Sequence, residues 1–441
     1  MKILFRLILL IAVVSNACVG YAKSICDSFG IDISGFIVHS GVKYVLRYDH
    51  IFTDTLFIPD NCEIKFEGGS LSGPIVFNNT KLSGDVNIKG ASIRGSIRNK
   101  QFNAAWLCNI DGKTDDAPRI NEMIEVCGNV YFPKGKYRLI SEYIPGKDVD
   151  KELHSSIKAH IGVSRSNVNL IGEGGTEFIT EVPLGTISLF SQPNQIEKSI
   201  RNIVIEGIAF NVKNHGKEFY EFKHTIKAIG VNGLTIKNCT FNDFWGDAIC
   251  LSHYGDNPST GERTRNQNVN INNNMIIGGE KRNNRNGISV INGKNVLIKD
   301  NIIKNTSRKG MPGGVDVEPN NSAYTIENIR ILNNTFEGIK TNAIQIYIPT
   351  GGPAHFIFVE KNTIKECGIA LNIGILSNET DNLKLTGNVI DGNTNPFHFW
   401  GEGNSKNWIV SDNTFNKPSL QNIPGSIKVE NLVVKNNKKK D

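Results

Sequence analysis

The sequence predicts an all-β protein built as a solenoid, in which short strands stack in successive coils. One phrase, apolar residues followed by Asn and another apolar residue, recurs from about residue 201 almost to residue 437. The phrases are about 29 residues apart on average, a period typical of stacked repeats. Apolar and polar residues alternate within each phrase, which is the pattern of a strand. The phrases are IVIEGIAF (203–210), LTIKNCTF (234–241), VNINNNMI (269–276), VLIKDNII (296–303), IRILNNTF (329–336), FVEKNTI (358–364), LKLTGNVI (383–390) and WIVSDNTF (408–415).

Two columns appear when the phrases are aligned. A single coil cannot bury its apolar face, so neighbouring coils must stack on it in parallel. Buried Asn side chains at one repeated corner can bond to those above and below as a ladder. The first column contains Ile208, Cys239, Asn274, Asn301, Asn334, Asn362, Asn388, Asn413 and Asn437. The second column, a predicted core, contains Phe210, Phe241, Ile276, Ile303, Phe336, Ile364, Ile390 and Phe415.

This pattern resembles the pectin-lyase-like superfamily. The resemblance implies a single-stranded right-handed parallel β-helix of roughly ten coils over residues 101–437. DGKTDDA at 111–117 and VYFPKGKY at 130–137 together resemble the start of many pectate-lyase-type and glycosidase β-helix domains. In those domains a short N-terminal helix closes the open end of the stack, where strand edges would otherwise be exposed. Asp115 and Asp116 suit the start of this capping helix, because carboxylates accept hydrogen bonds from unpaired N–H groups.

The remaining segments predict an exported protein. Residues 1–22 have the basic start and the short apolar core of a secretion signal, and residues 7–14 are too few to span a bilayer. Cleavage after Ala22 is favoured over lipid attachment at Cys18, so we expect a periplasmic or extracellular protein without membrane insertion. Residues 23–100 contain frequent Gly turns between apolar pairs and predict a small N-terminal β module. Residues 438–441 form a basic tail.

Composition limits the classes of function. Hydrophobic residues make up 39% and charged residues 21%, as in a folded soluble protein. A net charge of +6 permits an anionic partner. Basic and aromatic residues do not alternate on one strand face, so no nucleic-acid partner is expected. The cysteines have no metal-binding spacing and suit packing positions, and a disulfide among Cys26, Cys62, Cys108 and Cys127 stays open.

The coils between residues 208 and 334 are longer than the others, so their extra residues must leave the stack as loops. A second aligned strand follows these loops, and sites are commonly built from loops on such a rigid scaffold. Its inward residues are predicted to be Ile249, Ile288, Val315, Ile344, Ile369 and Phe397. Its outward residues are predicted to be Cys250, Ser252, Ser289, Ile291, Asp316, Glu318, Gln345, Tyr347, Ala370, Asn372, His398 and Trp400.

Carboxylates lie at the centre of this outward face. Asp316 and Glu318 are two residues apart on one strand, which places their Cα atoms about 6.6 Å apart on the same side. Two close carboxylates repel, so one keeps its proton to higher pH, and such a pair can act as acid and base in glycoside cleavage. Asp247 is the third candidate catalytic carboxylate. GVDVEPN at 314–320 also resembles a phrase found in many β-helix proteins of this kind.

Other candidate residues would bind the substrate. Arg285 and Lys309 would hold an anionic sugar, and the flat faces of Tyr347 and Trp400 would contact sugar rings. His253 or Tyr254 would orient the substrate. We therefore expect an exported enzyme that cleaves glycosidic bonds of an acidic polysaccharide, by hydrolysis and without cofactor or metal.

Three alternatives remain. A lyase would use β-elimination with Arg285 or Lys309 as base, and Ca²⁺ is a possible cofactor for it. A C5-epimerase would use similar residues without shortening the chain. A noncatalytic glycan-binding or adhesive β-helix would need only the polar and aromatic contacts. GDAICL at 246–251 resembles the Asp-bearing coil of polygalacturonase-like hydrolases, but their Gly-His-Gly turn has no counterpart here.

Overall fold

A computed structural model describes residues 22–25, 37–146, 155–191, 199–213, 219–254, 262, 264–279, 284–306, 308, 310–392, 394–416 and 427–439. The predicted signal up to Tyr21, Cys26 and Lys309 lie outside the described residues. No helix within the described ranges is long and apolar enough to cross a membrane. Contacts between Cα atoms divide the chain into two compact units, residues 1–102 with 125–127 and residues 103–124 with 128–441.

The first unit is a small stack of parallel strands. Its apolar interior includes Leu46, Ile64 and Phe77, each at most 1% exposed. Glu63 joins neighbouring strands by ion pairs with Lys43 and Lys81. Its strands are Ala22–Ile25, Lys43–Leu46, His50–Ile51, Leu56–Phe57, Glu63–Phe66, Leu71–Gly84 and Ala91–Ile97.

A short α-helix, Ala117–Val126, opens the second unit and closes the end of one sheet. Asp115 accepts a hydrogen bond from the Ala117 N–H, and Ile120 and Met123 are fully buried. The Asn121 side chain donates to the His160 carbonyl at 2.9 Å and accepts from the Gly162 N–H at 3.0 Å. Because these groups belong to the first strand of that sheet, Asn121 satisfies an edge that would otherwise be unpaired.

The rest of the second unit forms three ladders of parallel strands, as the predicted β-helix requires. The first ladder precedes the Asn corner, and the second follows it; the two share the long strands Val168–Thr180 and Ile200–Val212 within a 24-stranded sheet. The first ladder continues through Asn129–Phe132, Val231–Lys237, Asn266–Asn272, Gly293–Lys299, Ile326–Leu332, Ala354–Glu360, Thr380–Thr386, Asn404–Lys406, Ile409–Ser411, Lys428–Glu430 and Val433–Lys435. The second contains Asp111–Asp115, Gly135–Leu139, Thr240–Asn242, Met275–Ile277, Ile302–Lys304, Thr335–Glu337, Thr363–Lys365, Val389–Asp391, Thr414–Phe415 and Lys438–Lys439.

The third ladder carries the outward face described above. It is a separate sheet of nine parallel strands within the described residues. Its strands are Ala159–Val163, Gly185–Phe190, Ile226–Ile229, Ile249–Leu251, Ile288–Val290, Gly313–Val317, Asn342–Ile348, Ile369–Ile375 and Asn395–Trp400. The single-turn 3₁₀ helix Ala104–Trp106 and the strand Phe102–Asn103 precede the ladders in the chain.

The predicted asparagine ladder is confirmed. From Asn274 to Asn413, each side-chain NH₂ donates to the Oδ1 of the next ladder residue at 2.8–3.1 Å, ending on Asn437. Each NH₂ also donates to a main-chain carbonyl of the preceding coil, such as Ile298 O for Asn334. The residue before each ladder position turns the chain with a positive φ, for example 55° at Asn333. Asn tolerates this left-handed conformation better than most residues do.

The core columns agree with the sequence pattern except in one coil. All members of the Phe/Ile column are buried. In the third ladder, however, Ile344 pairs with Leu371 and not with Ile369. Ile369 starts its strand and is half-buried, so the predicted inward position is wrong by two residues. Ile369 takes the register position of Asn342 and Asn395, the first residues of the neighbouring strands.

This correction changes the outward face. Asn372, and not Ala370, lies beside Gln345, and Gly374 lies between Tyr347 and Trp400.

Two other expectations also change. Lys438–Lys439 pairs with Thr414–Phe415, so these two residues of the predicted basic tail belong to the last coil. Cys62, Cys108 and Cys127 are free thiols, which leaves no disulfide among the described members of that group.

Candidate functional site

The outward face of the third ladder places one polar side chain per coil in a continuous row. The strand register puts each member directly beside the next. Because parallel strands are about 4.8 Å apart, the row brings residues distant in sequence into contact. Its members are Lys227, Cys250, Ser289, Asp316, Gln345, Asn372 and His398.

Asp316 and Glu318 form a hydrogen-bonded carboxyl pair at the middle of this row. Asp316 is fully buried, whereas Glu318, immediately after the strand, is half-buried. Burial and the adjacent Glu318 raise the pKa of Asp316 well above its ordinary value, although Arg285 opposes the shift. Burial also raises the pKa of Glu318, against the effects of Arg285 and of the bond to Asp316. The pair therefore keeps a proton to higher pH than isolated carboxyls do, and Glu318 is its accessible member.

Arg285 and Asp247 form a buried ion pair beside these carboxyls. The Arg285 Nη1 lies 3.2 Å from Asp247 Oδ2, and its Nη2 lies 4.0 Å from Asp316 Oδ2. Burial opposes the charge of Asp247, but Arg285 and His224 lower the pKa of Asp247 to about 2. Burial likewise opposes the charge of Arg285, but Asp247 and Asp316 raise its pKa. Arg285 is thus committed to protein carboxyls and stays charged.

His224 is a second partner of the Asp247 carboxylate. Its Nδ1 is 3.2 Å from Asp247 Oδ2 and 3.1 Å from the Asp247 main-chain N. Burial opposes a charge on the ring, but Cys250 and Asp247 raise the pKa of His224 to about 9. The Asp247 main-chain N–H donates to Nδ1, so the ring is fixed against both the main chain and the carboxylate of Asp247.

Asn286 connects the ion pair with the carboxyl pair. Its main-chain N–H donates to Asp247 Oδ1 at 2.9 Å, and its side chain donates to Asp316 Oδ2 at 3.1 Å. The Gly313 N–H donates to its Oδ1 at 2.8 Å. On the far side, Gln345 donates to Asp316 Oδ1 at 3.3 Å. Fixed donors thus orient Asp316, so it does not depend on mobile loops for its position.

An aromatic pair lies further along the same face. The rings of Tyr347 and Trp400 stack with centroids 5.3 Å apart and an interplanar angle of 16°. Gly374 separates them in the register, and any side chain there would collide with the Trp400 ring, since an added Cβ would lie 2.4 Å from it. Trp400 Nε1 donates to Asn372 Oδ1 at 3.1 Å. This arrangement offers a flat, half-exposed apolar surface with polar groups at its edge.

A cleft opens where the later strands of the third ladder begin. Its volume is about 450 Å³, and Gln345, Lys340, Met311 and Asn395 are among its lining residues. Because Gln345 donates directly to Asp316, this cleft reaches the polar row itself. It is large enough for a small ligand or for one section of a polymer.

The sequence-predicted residues do not all meet at one point. Asp247, Asp316, Glu318 and Arg285 form one cluster, and Tyr347 with Trp400 forms a second group on the same face. His253 packs against the Tyr324 ring at 4.1 Å between centroids, and Tyr254 packs against the apolar group of Ile157, Phe190 and Ile229. Lys309 lies outside the described residues.

Sequence reasoning missed three members of the cluster. His224, Glu221 and Asn286 precede strands of the third ladder, where loop lengths vary and no period fixes the alignment. The one available signal was position relative to the strands: His224, Asp247 and Asn286 each come just before a strand of the third ladder. Hydrogen bonds from Thr225 N–H to Asp247 O and from Ala248 N–H to Asn286 O place them side by side. An alignment by strand start would have found His224 and Asn286. Glu221, whose Oε1 lies 3.6 Å from Arg285 Nε, does not begin a strand.

The cluster does not fit a calcium ion. Ca²⁺ takes six to eight oxygen ligands, but Arg285 already contacts Asp247 and approaches Asp316. His224, Asp247 and Cys250 have ligand atoms within 4.8 Å of one another. Their nitrogen and sulfur donors suit zinc better than calcium. The Arg285 cation bonded to Asp247 would oppose a second cation there.

Comparisons with known proteins agree with this fold. A family model described as right handed beta helix region matches residues 224–415. A search of curated protein sequences gives no significant match. Among solved structures, the surface adhesin PfbA of Streptococcus pneumoniae is 13% identical, with a TM-score of 0.42, covering 93% of this chain and 86% of its own.

Two further structures show a similar degree of likeness. The A-module of the mannuronan C-5 epimerase AlgE6 of Azotobacter vinelandii is 13% identical, with a TM-score of 0.43, covering 77% of this chain and 99% of its own. The tailspike of Acinetobacter baumannii phage AM24 is 12% identical, with a TM-score of 0.47, covering 77% and 54% respectively. Likeness at this level carries no information on activity. The family match and the three parallel ladders agree in describing residues 224–415 as a right-handed parallel β-helix.

Proposed function

We propose that this chain is an exported enzyme that hydrolyses glycosidic bonds of an acidic polysaccharide. The observation that carries the proposal is the pair of Asp316 and Glu318, two neighbouring carboxyls with raised pKa values in the middle of a long outward face. A general acid that keeps its proton near neutral pH is what protonation of a glycosidic oxygen requires. The secretion signal in residues 1–22 supports export.

Within the pair, Glu318 is the residue that reaches the substrate. Asp316 is fully buried and is held by Asn286 and Gln345, so it acts on the reaction through Glu318. Asp247 acts one step further away, because it fixes Arg285 beside the pair. The aromatic surface of Tyr347 and Trp400 begins on the next strand of the ladder and supports binding of sugar rings beside the pair.

Hydrolysis is favoured over β-elimination by the state of Arg285. A lyase base must give up its proton before it can take one from the sugar. Asp247 and Asp316 raise the pKa of Arg285, so this residue is unsuited to that role. Lys309 would then be the remaining predicted base for a lyase, and C5-epimerisation would face the same requirement.

The test is incubation of the purified chain, from residue 23 onwards, with plant, algal and host polysaccharides. Product size and ultraviolet absorbance are measured together. Shortened chains without absorbance indicate hydrolysis, shortened chains with absorbance indicate elimination, and altered composition without shortening indicates epimerisation. We expect Glu318→Gln to lower the rate by about 10²–10⁴-fold, as loss of a general acid does.

The control is Glu337→Gln, on the second ladder, where Glu337 pairs with Lys304 at 2.8 Å. This variant should keep the wild-type rate. Full activity of Glu318→Gln would contradict the proposed role of the carboxyl pair.

A second candidate function is glycan binding without cleavage. The stacked pair of Tyr347 and Trp400, with Asn372 at its edge, favours this candidate, since stacking and hydrogen bonds suffice for binding. Binding of a polysaccharide that yields no product with any member of the panel would establish this function and contradict the enzyme.

A further inference from the structure

Arg285 is poorly placed to bind the charge of an acidic sugar. Its Nη1 lies 3.2 Å from Asp247 Oδ2, and its Nε lies 3.6 Å from Glu221 Oε1. The Arg285 side chain is only 14% exposed. A guanidinium that two protein carboxyls already neutralise attracts a further anion weakly. Recognition of the acidic group therefore depends on a different cation.

The cleft at the strand starts of the third ladder has such a cation and no carboxyl group among its lining residues. The cation is Lys340, whose side chain is exposed. The other polar lining comes from the side chains of Thr341, Asn342, Gln345 and Asn395. A cleft with one positive charge and several neutral hydrogen-bonding groups favours a ligand that is anionic and rich in hydroxyl groups.

The path of the main chain presents Lys340 to this cleft. The Gly368 N–H donates to the Ile339 carbonyl, and the Ile369 N–H donates to the Thr341 carbonyl, each at 2.9 Å. Lys340 thus has no counterpart in the next coil and is an extra residue at its corner. Gly368 lies against it without a side chain, since an added Cβ there would lie 2.5 Å from the Lys340 carbonyl oxygen. An extra residue at a corner leaves the stack, so its side chain is available to a ligand.

Lys340 also differs from the lysines of the nearby second ladder. Lys304 and Lys365 both pair with Glu337, at 2.8 and 3.5 Å. Lys340 forms no ion pair with any residue that the structure describes. Its charge is therefore not offset by a carboxylate of the described chain, and an anion from solvent can pair with it.

Gln345 connects the cleft with the carboxyl pair. Its Nε2 donates to Asp316 Oδ1 at 3.3 Å, and its Oε1 accepts from the Asn342 side chain at 2.9 Å. Both Gln345 and Asn342 line the cleft. A polymer in the cleft therefore lies one side chain away from the carboxyl pair.

We propose that this cleft binds an anionic unit of the polysaccharide, whose carboxylate or sulfate pairs with the Lys340 ammonium. The inference rests on the function proposed above, which sets the ligand class. An ammonium group is a compact point charge and accepts either anion. The amides of Asn342 and Asn395 are available in the same cleft for the hydroxyl groups of the sugar.

The experiment measures binding by the Glu318→Gln chain, from residue 23 onwards, with isothermal titration calorimetry. The probes are polygalacturonate and alginate for carboxylates, carrageenan for sulfates, and carboxyl-reduced polygalacturonate as the neutral polymer. In this background, Lys340→Gln should weaken binding of an anionic probe about fivefold at low salt, as an exposed ion pair does. The loss should shrink at high salt, and Lys340→Arg should keep the affinity.

Lys406→Gln is the matched control for the loss of one positive charge. Lys406 is exposed on the strand Asn404–Lys406 of the first ladder and does not line the cleft, so the affinity should be unchanged. A loss limited to polygalacturonate or alginate assigns a uronate, and a loss limited to carrageenan assigns a sulfated sugar. Equal losses for Lys340→Gln and Lys406→Gln, or an equal loss on the neutral polymer, would overturn the inference.

This inference and the hydrolytic function can fail separately. Binding that depends on Lys340, without cleavage by the wild-type chain, would overturn hydrolysis and support the assignment of the cleft. Cleavage of an anionic polymer with an unchanged KM in Lys340→Gln would overturn this inference alone. A wild-type chain that binds none of the anionic probes would overturn both the inference and the acidic substrate proposed above.

Discussion

The contribution of Asp316 to the stability of the fold depends on pH. The folded protein binds the Asp316 proton more tightly than the unfolded chain, because burial raises its pKa from an ordinary value of 3.8. Its contribution to stability is complete below that value and is lost as pH rises through the folded-state pKa. Asp316→Asn should therefore raise the unfolding temperature at pH 8 and lose this advantage at pH 4, as measured by thermal denaturation across that range.

Asp247 should show the opposite dependence of stability on pH. Its pKa is lowered to about 2, so it stabilises the fold above 3.8 and stops doing so as pH falls towards 2. Asp247→Asn should destabilise the protein at neutral pH, with a deficit that narrows in acid. Parallel pH profiles for the two variants and the wild type would contradict this electrostatic account.

The chemistry of individual residues was only partly predictable. Period-two alternation was enough to place Asp316 and Glu318 on one face, and loop length drew attention to Asp247 and Arg285. The sequence pattern could not show that protein carboxyls neutralise Arg285, since pairing across coils depends on the paths of the loops. Glu221 carried no periodic signal for the same reason.

The asparagine ladder is a repeated element whose contribution to the free energy of unfolding can be tested. Asn334→Ala would leave the Ile298 carbonyl and the Asn301 main-chain N–H without their partners in a buried corner. Each unpaired buried group costs about 1–3 kcal/mol. We expect the free energy of unfolding to fall by about 2–5 kcal/mol, measured by chemical denaturation.

Asn328→Gly is the matched control from the same coil. Asn328 has a φ of 52° and donates to Asn295 at 2.9 Å on the outer surface, and Gly keeps that backbone conformation. Its effect should be clearly smaller. Equal losses for the two variants would mean that the buried ladder contributes no more than a surface bond. The asparagine ladder could be predicted from the sequence because its hydrogen bonds require one residue type at each position. The third ladder has a looser requirement, and its predicted alignment was wrong by two residues at Ile369.

At the scale of the whole molecule, the third ladder joins the carboxyl pair and the aromatic pair into one proposed binding face. Asp316 pairs with Gln345 and Val317 with Ile346, so Tyr347 takes the register position beside Glu318 on the next strand. The Trp400 ring stacks on Tyr347 with centroids 5.3 Å apart, so a sugar at Glu318 can also contact these rings. We expect Trp400→Ala to raise KM for short and long substrates alike, with little change in kcat. An unchanged KM in a folded variant, measured by steady-state kinetics, would contradict this continuous face.

The stacking of Trp400 on Tyr347 also has an optical consequence. Trp245 and Trp408 are buried, at 6% and 0% exposure, so solvent quenchers reach them poorly. Trp400 is half-exposed on the binding face, where a sugar ring would replace water against its indole. Trp106 is also half-exposed, so in a Trp106→Phe variant the light emitted by Trp400 gives a built-in reporter of occupancy, readable without label or product.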